Sequence, residues 1–560
     1  DARNDAGGHD GGKQDAADAS KGGQDAAADA TADAAHDSGI DAPHDAGVDT
    51  GHDAGIDATG ICNSGLARHD AGAPGTLDPN FNGGDVGSLV VAAPSTPLLD
   101  NAGNVYIVGS LANCAGAHTG SDFAISRFTH AGTLDTSFGT NGNACIDFVG
   151  GSDGAVAAAF DSSNRIVVVG YAETTQDAGG ANTAALAVAR LTLPTGALDT
   201  TFGAGTGKVK VTLQASDGSC SIGANACAPP EAQIGQAVAF SSNAHILVVG
   251  VNVPYTSSFL AEFGSDGTVS SNFNSTGAHP KAAYGAPGYV VEDTMGGFFD
   301  VAHAPTAAGD AVVVVGTDNG VLIDGGAPGG YYARSFVTRR YLTANGALDT
   351  TFNPSGSIPG QVLTQLGKND YARGVKVDPL SGDIFVAGVT SVGANDTPPL
   401  YYAGLYGAGY IGAARYHADG TLSTTWGTNS AGTYVSPYLK QWPAYVHLPM
   451  GLECDSQLVL AGFVAGSGGS MHGWGCNSKT STVGCQTPAV LRLTSAGVPD
   501  TTYGAAEDST DGGVGAGPGI AWVSFAGDVI LGAVVVDSEQ NALGFGGDNS
   551  GHLFFERFLH

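Results

Sequence analysis

Positive charge is scarce in this chain. Only 21 Lys and Arg stand against 53 Asp and Glu in 560 residues, a formal net charge of −32. A surface of that sign repels nucleic acid and anionic membranes, and favours cations or neutral surfaces as partners. Long apolar runs are also missing. The longest, AVVVVG at 311–316 and VILGAVVV at 529–536, have strand length and fall well short of the ~18 residues of a membrane helix. The eight cysteines include no CxxC pair, which argues against zinc ligation. Catalytic signatures are absent as well: there is no GxSxG elbow, P-loop or HExxH, and GSGGS at 466–470 is a lone flexible loop. His303, His417, His447 and His472 are scattered without ligand spacing, and Glu292 and Asp293 are adjacent, so they point apart on a strand. The expectation is a protein with no catalytic residues and no cofactor. The chain opens at Asp1 with no methionine or leader, the pattern expected of an exported and processed protein, outside the cell or on its surface.

What the chain has in excess is glycine, 88 of 560 residues, while charged residues make up 13%. That balance suits turn-rich β structure. The even cysteine count and local spacing predict disulfides Cys114–Cys145, Cys220–Cys227 and Cys476–Cys485 in an oxidising compartment. Cys62 and Cys454 remain, either paired with each other or with Cys62 bridging to another chain.

Residues 1–60 form an arm almost all of Asp, Ala, Gly, His and Thr, without Phe, Trp or Tyr. Its composition suits a solvated linker. It also carries an eight-residue unit, HDSGIDAP, HDAGVDTG and HDAGIDAT from 36 to 59. In an extended strand, Asp37, Asp41, Asp45, Asp49, Asp53 and Asp57 share one face. His36, Ile40, His44, Val48, His52 and Ile56 share the other. Such a ribbon could lie along a neighbouring subunit. Its carboxylates could hold calcium, or its His–Asp pairs a transition metal, although no calcium-loop spacing is present.

From about residue 61 to 560 the chain repeats itself. One unit reads AVAAAF, the turn DSSN, RIVVVGYA, a variable loop, ALAVARLT, the turn GALDTTFG and KVKVTL, over 155–213. Val-rich segments bounded by Gly, Asp and Asn turns are strands. The third strand recurs around Arg127, Arg190, Arg340, Arg415, Arg492 and Arg557, with Glu262 in one divergent copy. The turn aromatic recurs as Phe81, Phe138, Phe202, Phe273, Phe352, Trp426 and Tyr503. Both series have seven members, yet they are out of phase. The first turn, GTLDPNF at 75–81, has no Arg strand before it, and the last Arg strand, LFFERFLH, has no turn after it. A ring resolves this: the N-terminal segment supplies the last strand of the final unit. The fold expected is all-β, a seven-bladed β-propeller over 61–560. The G-x-L-D-x-x-F-G turn after an A-x-x-R strand resembles the delta-60 repeat family of bacterial surface proteins. That resemblance implies export and a propeller, and supplies no catalytic set.

Repeated residues answer a repeated structural need. Arg127, Arg190, Arg340, Arg415, Arg492 and Arg557, with turn residues Asp135, Asp199 and Asp349, are therefore expected to hold blades together, and Asp100, Asp161 and Asp537 to cap tight turns. The loop between second and third strands is the variable part. Its long versions carry Tyr331, Tyr332, Tyr401, Tyr402, Tyr406, Tyr410 and Trp474, which suit a glycan or a protein partner. Two functional expectations follow. The arm could join propellers into an extracellular filament or sheath, or it could tether a ring whose aromatic loops bind a glycan or surface protein. A hydrolase or lyase would instead need His and carboxylates converging at the central channel.

Overall fold

The structure, a computed structural model, describes residues 78 and 80–81 and most of 97–559. Outside the described residues lie 1–77, 82–96, the longer connections at 116–119, 174–183, 214–231, 276–282, 324–330, 391–408, 442–449, 466–485, 505–518, 523–528 and 549–552, and some shorter stretches. The arm, the other three cysteine pairs, and Tyr401, Tyr402, Tyr406 and Trp474 all fall there.

The chain is a seven-bladed β-propeller. Each blade is an antiparallel sheet whose strands follow one another in sequence. Blade 2 is typical: Asp153–Phe160, Ile166–Glu173, Ala184–Thr192 and Lys208–Val211 pair in that order. Blade 1 is Leu98–Leu99, Val105–Ala112, Ser121–Phe128 and Asn143–Ile146. Blade 3 is built on Ala232–Phe240, Ile246–Val253, Ser257–Phe263 and Tyr289–Glu292. Blade 4 has Met295–His303, Ala311–Asp318, Phe336–Leu342 and Gln361–Thr364. Blade 5 has Asp370–Val377, Ile384–Thr390, Gly409–Tyr416 and Thr433–Gln441. Blade 6 has Met450–Leu452, Leu458–Ala465, Gln486–Leu493 and Ile520–Trp522. Blade 7 contributes Val529–Val536, Ala542–Asp548 and Leu553–Phe558. First strands of neighbouring blades pack on one another and form the inner wall. Most of these strands carry a bulge, for example between Ala155 and Ala157 and between Gly235 and Ala237, which sharpens their twist.

Burial explains the composition. The middle strands of every blade are covered on both faces, so they read as continuous Val and Ala runs instead of alternating. Among the described residues, seven apolar clusters form, each shared by two adjacent blades. Blades 1 and 2 share Tyr106, Phe123, Phe138 and Val168, among others. The seventh cluster joins Leu543 and Phe545 of blade 7 to Val105 and Ile107 of blade 1, with Phe81 between them. Among the described residues, every neighbouring pair of blades shares such a cluster.

The repeated turn makes the closure. In six blades the N–H of the turn residue donates to the carbonyl of the third-strand residue eight or nine positions earlier: Asp135 to Arg127, Asp199 to Arg190, Ser270 to Glu262, Asp349 to Arg340, Ser423 to Arg415 and Asp500 to Arg492, at 2.8–3.0 Å. The seventh bond has the same geometry, yet it joins the two ends of the chain, from Asp78 N–H to the Arg557 carbonyl at 2.9 Å. The Arg557 guanidinium meets the Asp78 carboxylate at 3.2 Å and lies 4.6 Å from the centre of the Phe81 ring. Seven turns and seven strands out of phase therefore complete one another, as the sequence requires. Removing one partner of a buried ion pair strands the other charge. Asp78→Ala should therefore lower stability by about 3 kcal/mol, toward the low end for such pairs because Asp537 stays 3.3 Å from Arg557. Urea denaturation of the variant checks this.

Candidate functional site

The residues that recur most are committed to holding the ring. Arg190 is buried, and its guanidinium reaches three ways. Nε donates to Asp199 at 2.8 Å, Nη2 donates to the Thr201 hydroxyl at 3.0 Å, and Nη1 donates to the Ser265 carbonyl of blade 3. Its face lies over the Phe202 ring at 4.7 Å. Arg340 repeats the set with Asp349, Thr351, the Ala418 carbonyl of blade 5 and Phe352. The Asp partner thus belongs to the arginine's own blade. The tie to the next blade is the carbonyl, made also by Arg127 to Pro194, Arg415 to Ser495 and Arg557 to His130.

The turn carries a second tie. The residue after the aromatic donates its N–H to the next blade's hairpin: Gly139 to Thr195, Gly203 to Asp266, Asn274 to Asn345, Asn353 to Asp419 and Gly427 to Ala496. Its φ is positive, 55° at Gly139 and 61° at Gly203, which explains why only Gly and Asn occur there. The glycine that opens the motif has a different reason. A Cβ on Gly267 would come within 2.7 Å of the Phe202 ring of the preceding blade, and Gly420 stands likewise against Phe352. The turn aromatic therefore wedges between blades.

Two divergent copies keep the function with other residues. Arg415, whose turn offers Ser423 instead of Asp, takes its carboxylate from Asp383 at 2.7 Å, at the start of the neighbouring strand. In blade 3, Glu262 replaces the arginine and accepts from the His245 ring at 2.8 Å. Neither compensation was visible from the motif, because the partner comes from another strand of the sheet.

One cluster has the composition of a nucleophile triad. Ser242, His303 and Asp310 meet between blades 3 and 4. The geometry is different. The same His303 nitrogen, Nε2, lies 2.5 Å from Asp310 and 3.3 Å from the Ser242 hydroxyl, and that hydroxyl donates straight to Asp310 at 2.6 Å. In a relay, the carboxylate and the hydroxyl occupy opposite ring nitrogens. Here Asp310 also accepts the Ser242 N–H and the Thr343 hydroxyl, so the group is a tie between blades.

Of the loop aromatics, Tyr410 is placed inside the third strand of blade 5. It is half-buried opposite Thr390, which corrects its assignment to an exposed loop. Tyr331 and Tyr332 belong to a two-stranded hairpin, Val321–Ile323 with Tyr331–Ala333, that stands in the blade 4 connection. Turns between first and second strands, and between third and fourth, share one face of the ring because the strands alternate in direction. The strand ends flanking the three long connections all lie on the opposite face. Asp100 and Asp161 cap their turns as expected, accepting backbone N–H groups of Ala102, Asn104, Ser163 and Arg165. Cys114 and Cys145 are bonded, with Cα atoms 5.5 Å apart.

Comparison with known proteins agrees with the architecture. A family described as a domain of unknown function (DUF5122) beta-propeller matches residues 162–202, the second and third strands and the turn of blade 2. No curated protein matches the chain. Among solved structures, a GH43 beta-1,3-galactosidase with galactodeoxynojirimycin is 10% identical, with a TM-score of 0.29, covering 57% of this chain and 90% of its own. The Bombyx mori GH32 beta-fructofuranosidase is 10% identical, with a TM-score of 0.28, covering 86% of this chain and 92% of its own. Likeness at this level bears on neither activity nor substrate.

The ties carry a pH signature. Burial pushes the Asp199 carboxyl up, but the Thr201 hydroxyl and N–H and the Arg190 charge outweigh it and hold it at about 2. Asp310 is likewise pushed up by burial, and its bonds to His303 and Ser242 bring it to about 2. Carboxyls depressed on folding stabilise the protein above their ordinary value of 3.8, and that contribution is lost as pH falls toward 2. With respect to these groups, the urea midpoint should be level from pH 7 to 5 and fall between pH 4 and 2. Asp199→Asn should flatten part of that fall.

Proposed function

We propose that this protein is a non-catalytic interaction module of the exported class, a rigid ring that presents variable aromatic loops to a neutral partner such as a glycan or surface protein. The observation that carries the reading is a division of labour between faces. The repeated Arg, Asp, Gly and aromatic residues are engaged in blade ties around the turns of one face. The strand ends that flank the connections differing in length and carrying aromatics lie on the other. Loops placed on a tied scaffold are where binding residues concentrate. The strongly negative net charge keeps nucleic acid and anionic lipid away from either face. Replacing Tyr401, Tyr402, Tyr406 and Trp474 together by Ala should abolish binding on a glycan array or to a captured surface protein while leaving the unfolding midpoint in place. An unchanged binding profile refutes this reading.

A second reading rests on the arm. The octad from 36 to 59 places its Ile, Val and His on one face of a strand and its Asp on the other. That two-faced pattern favours a segment that lies on a neighbouring copy and joins rings into a filament or sheath. On this reading, deletion of residues 1–60 should convert the assembled protein to single rings in electron micrographs and sedimentation. Assembly that survives the deletion refutes it.

A further inference from the structure

The junction of blades 1 and 2 differs from those of blades 2 and 3 and of blades 4 and 5 at one point on the variable-loop face. Asp122 is the second residue of the third strand of blade 1, Asp147 follows its fourth strand, and Asp153 begins the first strand of blade 2. One ligand oxygen from each lies within 4.8 Å of the others. Asp122 and Asp153 are wholly sealed from solvent, and Asp147 is half-buried. Some of their bonds are local: Asp122 Oδ2 accepts the Ala115 N–H at 2.8 Å, Asp147 Oδ1 that of Gly150 at 2.5 Å, and Asp153 Oδ2 that of Phe148 at 2.7 Å. Asp153 Oδ1 is buried and accepts no hydrogen bond among the described residues.

The propeller supplies its own controls. At the junction of blades 2 and 3, Gln233 occupies the place of Asp153. Its amide closes on Leu213 N–H and carbonyl and on Asn252, so nothing is left over. At the junction of blades 4 and 5, Asp370 has the same place. Its Oδ2 accepts the Leu366 N–H, and its Oδ1 accepts the Thr390 hydroxyl and the Gly367 N–H. Thr390 is the cross-strand partner of Asp370, whereas the partner of Asp153 is Ala172, which has no side-chain donor. Counting from the third-strand arginine and the following glycine, Ser335 and Gln365 stand where the first junction has Asp122 and Asp147. The first junction therefore gathers three carboxylates and omits the hydroxyl that the equivalent Asp370 uses.

Carboxylates this close, two of them sealed from solvent, are relieved either by a proton or by a bound cation. The ammonium of Lys208 is nearby. It donates to the Asp147 backbone carbonyl and lies 5.5 Å from the Phe148 ring centre, so its bond goes to the main chain. Glu173 adds another carboxylate at the rim, where it accepts the Ser152 N–H at 3.1 Å. We propose that Asp122, Asp147 and Asp153 form a site for a hard divalent cation of the calcium class. Clustered carboxylate oxygens, joined by carbonyls or water, are the ligands such an ion prefers, and the three gathered side chains offer oxygen alone. The Cys114–Cys145 disulfide ties the loop bearing Ala115 to the fourth strand beside the site.

The test is calcium titration of the full-length protein, after treatment with chelator, by calorimetry and thermal unfolding. Calcium should bind at this site and raise the unfolding temperature, and chelator should reverse the shift. Asp147→Asn is the variant least disruptive to folding, since the amide oxygen can still accept from Gly150. It should weaken this binding at least tenfold with an unchanged circular dichroism spectrum. Asp153→Asn should abolish it, whereas quadruple replacement of Asp41, Asp45, Asp49 and Asp53 by Asn should leave it intact. Two results would each overturn the proposal: no calcium-dependent shift in the parent protein, or a shift that Asp147→Asn and Asp153→Asn both retain.

Discussion

The hydrogen bond from the turn residue to the carbonyl of the third-strand arginine position is the contact on which the ring depends. Made within a hairpin, it is an ordinary local contact. Made between Asp78 and Arg557, it joins residues 479 positions apart and converts an open row of blades into a closed circle. An open array would expose an unpartnered sheet face at each end. The cluster holding Phe81, Val105 and Leu543 shows that blades 7 and 1 share an apolar core. That closure also explains why the arginine is so uniform. It must satisfy a carboxylate in its own blade and a carbonyl in the next, and a planar fork with five donors does both.

Around that constraint the chain tolerates exchange wherever the sheet offers another partner. Arg415 loses its turn carboxylate and gains Asp383 from the adjoining strand. Glu262 reverses the charge, and His245 answers it from the second strand. Tyr341, Arg339 and Glu292 form a further buried tie between blades 4 and 3, with Arg339 2.7 Å from Glu292 and the Tyr341 hydroxyl donating to it at 3.0 Å. The Tyr341, Arg339 and Glu292 groups lie sealed between apolar faces, where a donor left without an acceptor would cost more than the bond itself returns. Such ties fix one arrangement of the blades.

The acidic junction between blades 1 and 2 stands out against two others that solve the same geometric problem at that point. In blades 2, 3 and 5 a polar residue at the start of the first strand, Asp153, Gln233 or Asp370, receives a backbone N–H from the segment that enters the blade. Gln233 and Asp370 show two ways to complete the remaining bonds from within the protein. Asp153 has neither the second amide donor nor the cross-strand hydroxyl. In a repeat protein, a single position that departs from its equivalents while gathering like charge is more telling than the same cluster in a fold without repeats.

Strand content, blade number and the closure of the ring were determined by the sequence alone. Val-rich segments of fixed length, a turn motif counted seven times and an arginine series one step out of phase admit one arrangement. These features are local or periodic, and periodicity survives without knowing what touches what. The division of each arginine's bonds between its own blade and the next was decided only by the tertiary structure. So were the carboxylate of Asp383, the failed relay geometry of Ser242, His303 and Asp310, and the position of Tyr410 within a strand. The meeting of Asp122, Asp147 and Asp153 belongs with these. Those three residues sit 25 and 6 positions apart on different strand ends, in no ligand spacing. Only the antiparallel pairing within blade 1, and the packing of blade 2 against it, bring their oxygens to one point.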